Sequence, residues 1–343
     1  MKKTKFIYLV FIGIFFISCG RDFSVDISPL GDYNLFFEYL KNDYACRDEH
    51  SFTMEELKQK YLPEIKADDT EENLARILQE ICLNELKDPH VYMLLPHPFS
   101  EIHVEVKSPL KLDYSIPLCN EIEILDETEF YIYGLVKESK EIGYIYIKNF
   151  ISELGGESSL GIEEGVKKID EMIGILIQKG VNSMILDMRS NAGGTSYIPR
   201  YIAQRFVNEP AHYMTEYYPE GNGFIKKEWT ITPSGKGFRT QKIALLSNGL
   251  TGSGGEMFLL ALFNRKNLIH IGSRTIGAPG NIVEKDLSNG WNFIISNSRT
   301  EYPNGKQYYK IGIIPEIIVE NDSTYGVTSF DDKVIERAIM ELK

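Results

Sequence analysis

Ile185-Leu186-Asp187-Met188-Arg189-Ser190-Asn191-Ala192-Gly193-Gly194 and Leu245-Leu246-Ser247-Asn248-Gly249-Leu250-Thr251-Gly252-Ser253-Gly254-Gly255-Glu256 are the two stretches that decide the fold. Each starts as a short apolar run suited to a buried strand and then enters a tight glycine turn, with a helix to follow. The glycines let backbone N–H groups point outward into one pocket at the ends of neighbouring strands. Ser253 then stands at the mouth of a helix, where unpaired N–H groups and the positive helix end favour a developing oxyanion. That is the physical requirement for a serine nucleophile attacking a carbonyl. The segment is not the Gly-x-Ser-x-Gly elbow, because Thr251 takes the first glycine position, and it is not a P-loop, because no Lys follows the glycines. On pattern alone, most glycine turns containing Ser are only turns.

The surrounding chain reads as an α/β protein. Val166, Ile169, Ile173 and Leu176 mark a helix face ending near Gly180, and a further helix starts at about Tyr197. Helices are also expected over 256–263 and 331–342, and buried strands at 184–188 and 242–247. Residues 282–296 read as a hairpin with a two-residue turn at Asn289-Gly290. Upstream, 32–90 reads as a helical subdomain, with Thr53 and Glu56 at capping-box spacing. Residues 91–140, broken by prolines, read as a short β bridge, and 141–343 as the core with its C-terminal helix.

The chain has 343 residues, 43% of them hydrophobic, and a formal charge of −12. This composition excludes disorder and coiled coil, and the absence of a basic block argues against nucleic acid as a partner. The basic start at Lys2, Lys3 and Lys5 followed by apolar residues 6–17 matches a secretory signal over 1–18 and is too short to span a membrane. Ser18-Cys19-Gly20 resembles the bacterial lipoprotein signal, which implies acylation of Cys19, a tether over 19–31 and membrane attachment through the acyl chains. A plain signal peptide is the alternative. Removal of 1–18 takes three lysines and no acids, deepening the charge to −15. Cys46, Cys82 and Cys119 are expected as buried thiols. The histidines show no two-His motif, so no metal is expected.

The two glycine segments together resemble the tail-specific (C-terminal processing) serine protease family, which also contains the tricorn core protease and retinoid-binding repeats. Asp187, Arg189, Asn191, Gly193 and Gly194 meet its Asp-x-Arg-x-Asn-x-Gly-Gly motif, and Thr251, Ser253 and Glu256 meet its nucleophile segment. Arg274-Thr275-Ile276-Gly277, Tyr302-Pro303-Asn304-Gly305 and Gly312-Ile313-Ile314-Pro315-Glu316 follow in the family's order, with Asp88-Pro89-His90 upstream. The resemblance implies a core of the ClpP/crotonase-like type with Ser253 as nucleophile and Gly254 and Gly193 as oxyanion hole. It also implies that Arg189, Asn191 and Glu256 support the turn, with pairing of Arg189 and Glu256 one way to do so, and that no cofactor is needed.

Two departures from the family matter. Ala278 stands where Ser–Lys members carry their Lys, which places the chain nearer the His-dependent, tricorn-like branch and makes His90 the candidate base. Tyr309 holds the position of that branch's orienting Glu. His90 as a mere packing residue is the alternative, and Glu284 and Lys285 are weaker candidates for reaching the pocket. The 50 residues of 91–140 are also too few for the peptide-clamping PDZ domain of many relatives. The family resemblance therefore implies a serine endopeptidase acting on peptides or unfolded protein tails. The lipoprotein-like signal, with Gly20 rather than Asp after Cys19, implies export and siting as an outer-membrane lipoprotein of the bacterial envelope, on its periplasmic or surface face. A non-catalytic lipoprotein binding peptide, lipid or glycan in the same cleft is the rival.

Overall fold

The computed structural model describes residues 26–105, 120–128, 130–150, 159–195, 197–303, 305–320 and 332–343. The expected signal segment, Cys19, Cys119 and Asn304 lie outside the described residues. The chain opens with α1 (Pro29–Asn42), α2 (Met54–Tyr61) and α3 (Glu71–Glu80), and α3 continues into one π-helical stretch, Ile81–Leu86. Thr53 and Glu56 close the anticipated capping box at the start of α2.

Next come β1 (Tyr92–Leu94), β2 (Ile122–Glu127), β3 (Tyr131–Val136), β4 (Ser139–Ile147), α4 (Ser159–Gln178) and β5 (Ser183–Asp187). They are followed by α5 (Ile198–Ala203), β6 (Ala211–Glu220), β7 (Gly223–Ile231), β8 (Lys242–Ser247), α6 (Gly254–Leu262) and β9 (Leu268–Gly272). The chain closes with β10 (Ile282–Asp286), β11 (Asn292–Ser296), β12 (Arg299–Glu301), β13 (Ile317–Ile318) and α7 (Lys333–Leu342).

Among the described residues the strands form three sheets. The central one has the order β13-β9-β8-β5-β4-β3-β2. From β13 to β4 its neighbours run parallel, and β3 and β2 add an antiparallel edge. Met184 and Leu186 of β5, with Ile243 and Leu245 of β8, pack in the cluster built on α4, α5 and α6. Ile185, Ala244 and Leu246 point the other way, onto Val334, Ile335 and Ala338 of α7. Successive side chains on a strand face opposite ways, so a sheet covered by helices on both faces needs an unbroken apolar run.

The segment expected as a β bridge divides between two sheets. β2 and β3 extend the central sheet, whereas β1 pairs with β11 of the β10–β11 hairpin. The described residues of 91–140 form no separate domain. Leu287, Trp291, Phe293 and Ile295 of the hairpin pack into the core of the helical subdomain, so the hairpin bolts that subdomain to the rest of the chain. The hairpin does not use the expected two-residue turn. Asp286 pairs with Asn292, and Leu287 N–H donates to Trp291 O at 2.7 Å, leaving a longer loop whose Asn289 side chain caps Trp291 N–H.

A candidate serine-nucleophile site

β5 and β8 are parallel neighbours, with Asp187 beside Leu246, so the two glycine turns leave adjacent strands at the same end. That is where open α/β sheets place their ligand crevice. The turns are stitched together: Thr251 Oγ1 donates to Met188 O at 2.8 Å, Gly252 N–H to Asn191 O at 3.0 Å, and Ser190 N–H to Asn248 Oδ1 at 2.8 Å. Asn191 is fully buried, its amide nitrogen donating to Ile147 O of β4 and its Oδ1 accepting Gly193 N–H.

Ser253 sits at the N-cap of α6 with φ 49° and ψ −120°, a conformation that L-residues rarely hold and that costs of order 1–3 kcal/mol. Its side chain makes no capping bond, unlike the Ser and Thr caps of α1, α2 and α3. The hydroxyl is thus left for chemistry while the backbone is held from behind. Gly193 closes in from the facing turn, where a Cβ would meet Ser253 Cβ at 2.8 Å and Gly254 N at 2.7 Å. Only glycine fits there.

Glu256 lies in the first turn of α6, fully buried, and accepts from the Thr275 hydroxyl and from Gly277 and Ala278 N–H, both at 2.8 Å. Burial pushes its carboxyl up to about 7 against the opposing pull of these donors and of the Ser253 N–H. It therefore ties the helix that starts after Ser253 to the loop after β9. The expected Arg189–Glu256 pair is not formed. Arg189, also fully buried, donates to Asp187 through Nε and Nη2 and to Asp332 through Nη1 at 2.8 Å. Burial works against its charge, yet the two carboxylates hold it well above its ordinary value. Asp332 also caps α7, accepting Ile335 N–H. The Arg of the motif thus fastens the C-terminal helix to β5 rather than pairing with Glu256 beside Ser253.

Of the two N–H groups expected to face an oxyanion, that of Gly193 is already engaged, donating to Asn191 Oδ1 at 2.9 Å. Gly194 lines the cavity in front of Ser253, and its N–H has no acceptor among the described residues, nor has that of Gly254.

That cavity, about 650 Å³, brings Ser253 and His90 together. Ala278 lines it where a Lys would stand, and His90 is the one imidazole or amine among its lining residues. Lys285 is turned away, paired with Asp43 at 2.7 Å. His90 reaches the cavity from a turn that follows Lys87, which is left-handed at φ 50°. Asp88 Oδ1 accepts His90 N–H at 2.8 Å, while its Oδ2 is within reach of Ser296 Oγ (2.8 Å), Tyr44 OH (3.1 Å) and Tyr309 OH (3.2 Å). Tyr309, at the place of the orienting Glu, therefore reaches Asp88 and not the imidazole. The His90 ring makes no hydrogen bond among the described residues, to Ser253 included. Burial lowers its pKa and Asp88 partly offsets this, so the ring is neutral at pH 7 and able to take a proton.

Asn297 also lines the cavity, and its Oδ1 is buried without a partner among the described residues. Sequence reasoning missed it because it lies on the short link between β11 and β12, outside any motif. No group of three or more His, Cys, Asp or Glu side chains among the described residues is arranged to hold a metal ion.

A family model, Peptidase family S41, matches residues 141–319. The chain belongs to this family of serine-type hydrolases. A carboxyl-terminal-processing protease of Synechocystis sp. is 22% identical over 189 residues, which are 54% of this chain and 39% of that enzyme, so the match spans about two fifths of the relative. Among solved structures, a provisionally assigned peptidase of Parabacteroides merdae aligns with TM-score 0.72 and 21% identity over 92% of this chain and 96% of its own. The photosystem II D1 C-terminal processing protease aligns with TM-score 0.53 and 14% identity over 87% and 93%. These likenesses are of fold. The S41 fold carries the α/β architecture read from the sequence.

Proposed function

We propose that the protein is an exported, lipid-anchored serine endopeptidase that cleaves peptides or unfolded protein tails through an acyl-enzyme on Ser253. The observation that carries this reading is the shared cavity, where a strained, uncapped Ser253 faces a neutral His90 and Ala278 replaces the family Lys. Ser253 Oγ attacks the scissile carbonyl while its proton passes to His90, and the carbonyl oxygen takes up negative charge against the N–H groups of Gly254 and Gly194. His90 then gives the proton to the leaving amine. It next takes one from the water that attacks the acyl group, and returns it to Ser253 as the acid product leaves. Asn297, with its unpaired Oδ1 in the same cavity, is the candidate to orient the imidazole.

Attachment to the membrane rests on Cys19 and the signal-like residues before it, and Gly20 in place of Asp favours the outer membrane. A serine-directed fluorophosphonate tests the chemistry. It should label the native chain, and neither Ser253→Ala nor His90→Ala should be labelled. Equal labelling of Ser253→Ala would exclude the acyl-enzyme, and an unlabelled native chain would favour the binding-protein reading. Metabolic palmitate incorporation lost in Cys19→Ser tests the anchor; incorporation that persists in Cys19→Ser would refute it.

A further inference from the structure

Beside the Ser253 cavity lies a second, smaller recess of about 40 Å³, bounded by α5, α6 and the β6–β7 hairpin. Tyr197, Tyr218 and Asn281 line both, so a chain laid across Ser253 passes its mouth. Two cations face into it, Arg200 from α5 and Lys227 from β7. They stack on the same indole, with the guanidinium carbon 5.3 Å and the ammonium 3.9 Å from a Trp229 ring centroid. Neither makes an ion pair or hydrogen bond among the described residues, and Arg200 Nε is shut from water with no acceptor among them. A buried donor left in that state costs of order 1–3 kcal/mol, more when it belongs to a charged group, and the neighbouring like charge adds to the cost.

The one carboxylate lining the recess does not relieve them. Glu216 is 1% exposed and its four acceptor directions are taken by neutral donors: Tyr218 OH and Trp229 Nε1 on Oε2, Asn281 Nδ2 and Ser298 Oγ on Oε1. Two cations against one engaged carboxylate leave the recess positive. Its volume suits a carboxyl group, being a few times what one water needs, and is too small for an aromatic ring.

We propose that this recess is a specificity subsite for a carboxylate of the substrate, from an Asp or Glu side chain near the cleaved bond or from the chain's free C-terminus. It deepens the endopeptidase reading and rests on Ser253 being the nucleophile. Arg200 supplies a planar fork that matches a carboxylate, and Lys227 adds a point charge. A substrate Lys or Arg would meet two like charges there.

The test uses the full chain and two series of matched peptides. One series exchanges Asp and Glu for Asn and Gln around the scissile bond, and the other exchanges a free C-terminal carboxylate for an amide. The carboxylate member of one series should have a kcat/KM about tenfold or more above its neutral isostere, and the series that responds identifies the source. Arg200→Met and Lys227→Met should each bring that ratio toward one, and Arg200→Glu should turn the preference toward basic peptides. Because the ratio is taken within one enzyme, loss of folded protein cancels, and exposed Lys227 serves if Arg200 variants fail to fold. Fluorophosphonate labelling runs alongside. Ser253 labelled with a ratio near one in both series overturns the subsite and spares the nucleophile, whereas no Ser253-dependent labelling takes down both.

Discussion

The turn that carries Ser253 and the turn that carries His90 are held by opposite means. Around Ser253 the bonds are local. Two neighbouring strands supply facing loops, Asn191 and Glu256 fill the gaps between them, and the backbone is fixed tightly enough to keep a non-glycine residue at φ 49°. Around His90 one carboxylate, Asp88, gathers hydroxyls from α1's end, the hairpin and the loop at Tyr309, residues separated by 44, 208 and 221 positions from it. The imidazole itself is left without a hydrogen bond among the described residues. Ser253 is positioned by its own sheet, and His90 depends on how the helical subdomain and hairpin dock.

The largest effects should come from removing either reacting group. Ser253→Ala should lower peptide turnover by about a thousandfold or more, and His90→Ala by about 10²–10⁴-fold with the fold intact by circular dichroism. Equal activity in His90→Ala would dissolve the contrast between the two turns. Next comes the rigid side: Arg189→Ala leaves Asp187 and Asp332 buried together and should cost about 3–5 kcal/mol in urea unfolding.

Glu256 sharpens the same side through pH. Its folded value of about 7 lies above the ordinary 4.5, so the folded state holds the proton more tightly. Its contribution to stability should be full below pH 4.5 and be lost, by up to about 3 kcal/mol, as pH rises through 7. That slope should vanish in Glu256→Gln; its persistence would mean another group is responsible. The smallest effect belongs to the base side. Tyr309→Phe removes one of several donors near Asp88 and should cost about 1 kcal/mol, with turnover falling more than stability if docking governs His90.

The same contrast explains what could be read in the sequence. Strand and turn follow one another within ten residues at 185–194, and strand, turn and helix within twelve at 245–256, so apolar runs and glycines expose the Ser253 half directly. Asn191 and Glu256 were legible as supports for that reason. The second partner of Arg189 was not, because Asp332 is 143 residues away and enters through the cap of α7. Gly193 and Gly194 are indistinguishable as letters, and only the Asn191 side chain, by taking one N–H, separates them. The β6–β7 hairpin left little periodic signal because most of β7 faces solvent, so the charges of the recess were invisible until it folded over α5.

Whether His90 is the base for Ser253 is measured most directly by the pH dependence of the fluorophosphonate labelling rate. The rate should rise with pH in a single step whose midpoint lies below the ordinary histidine value of 6.5, as the imidazolium loses its proton, and then level off. His90→Ala should remove the step along with most of the rate. A step that survives in His90→Ala, or a rate that keeps climbing into the range of a lysine, would contradict His90 as the base.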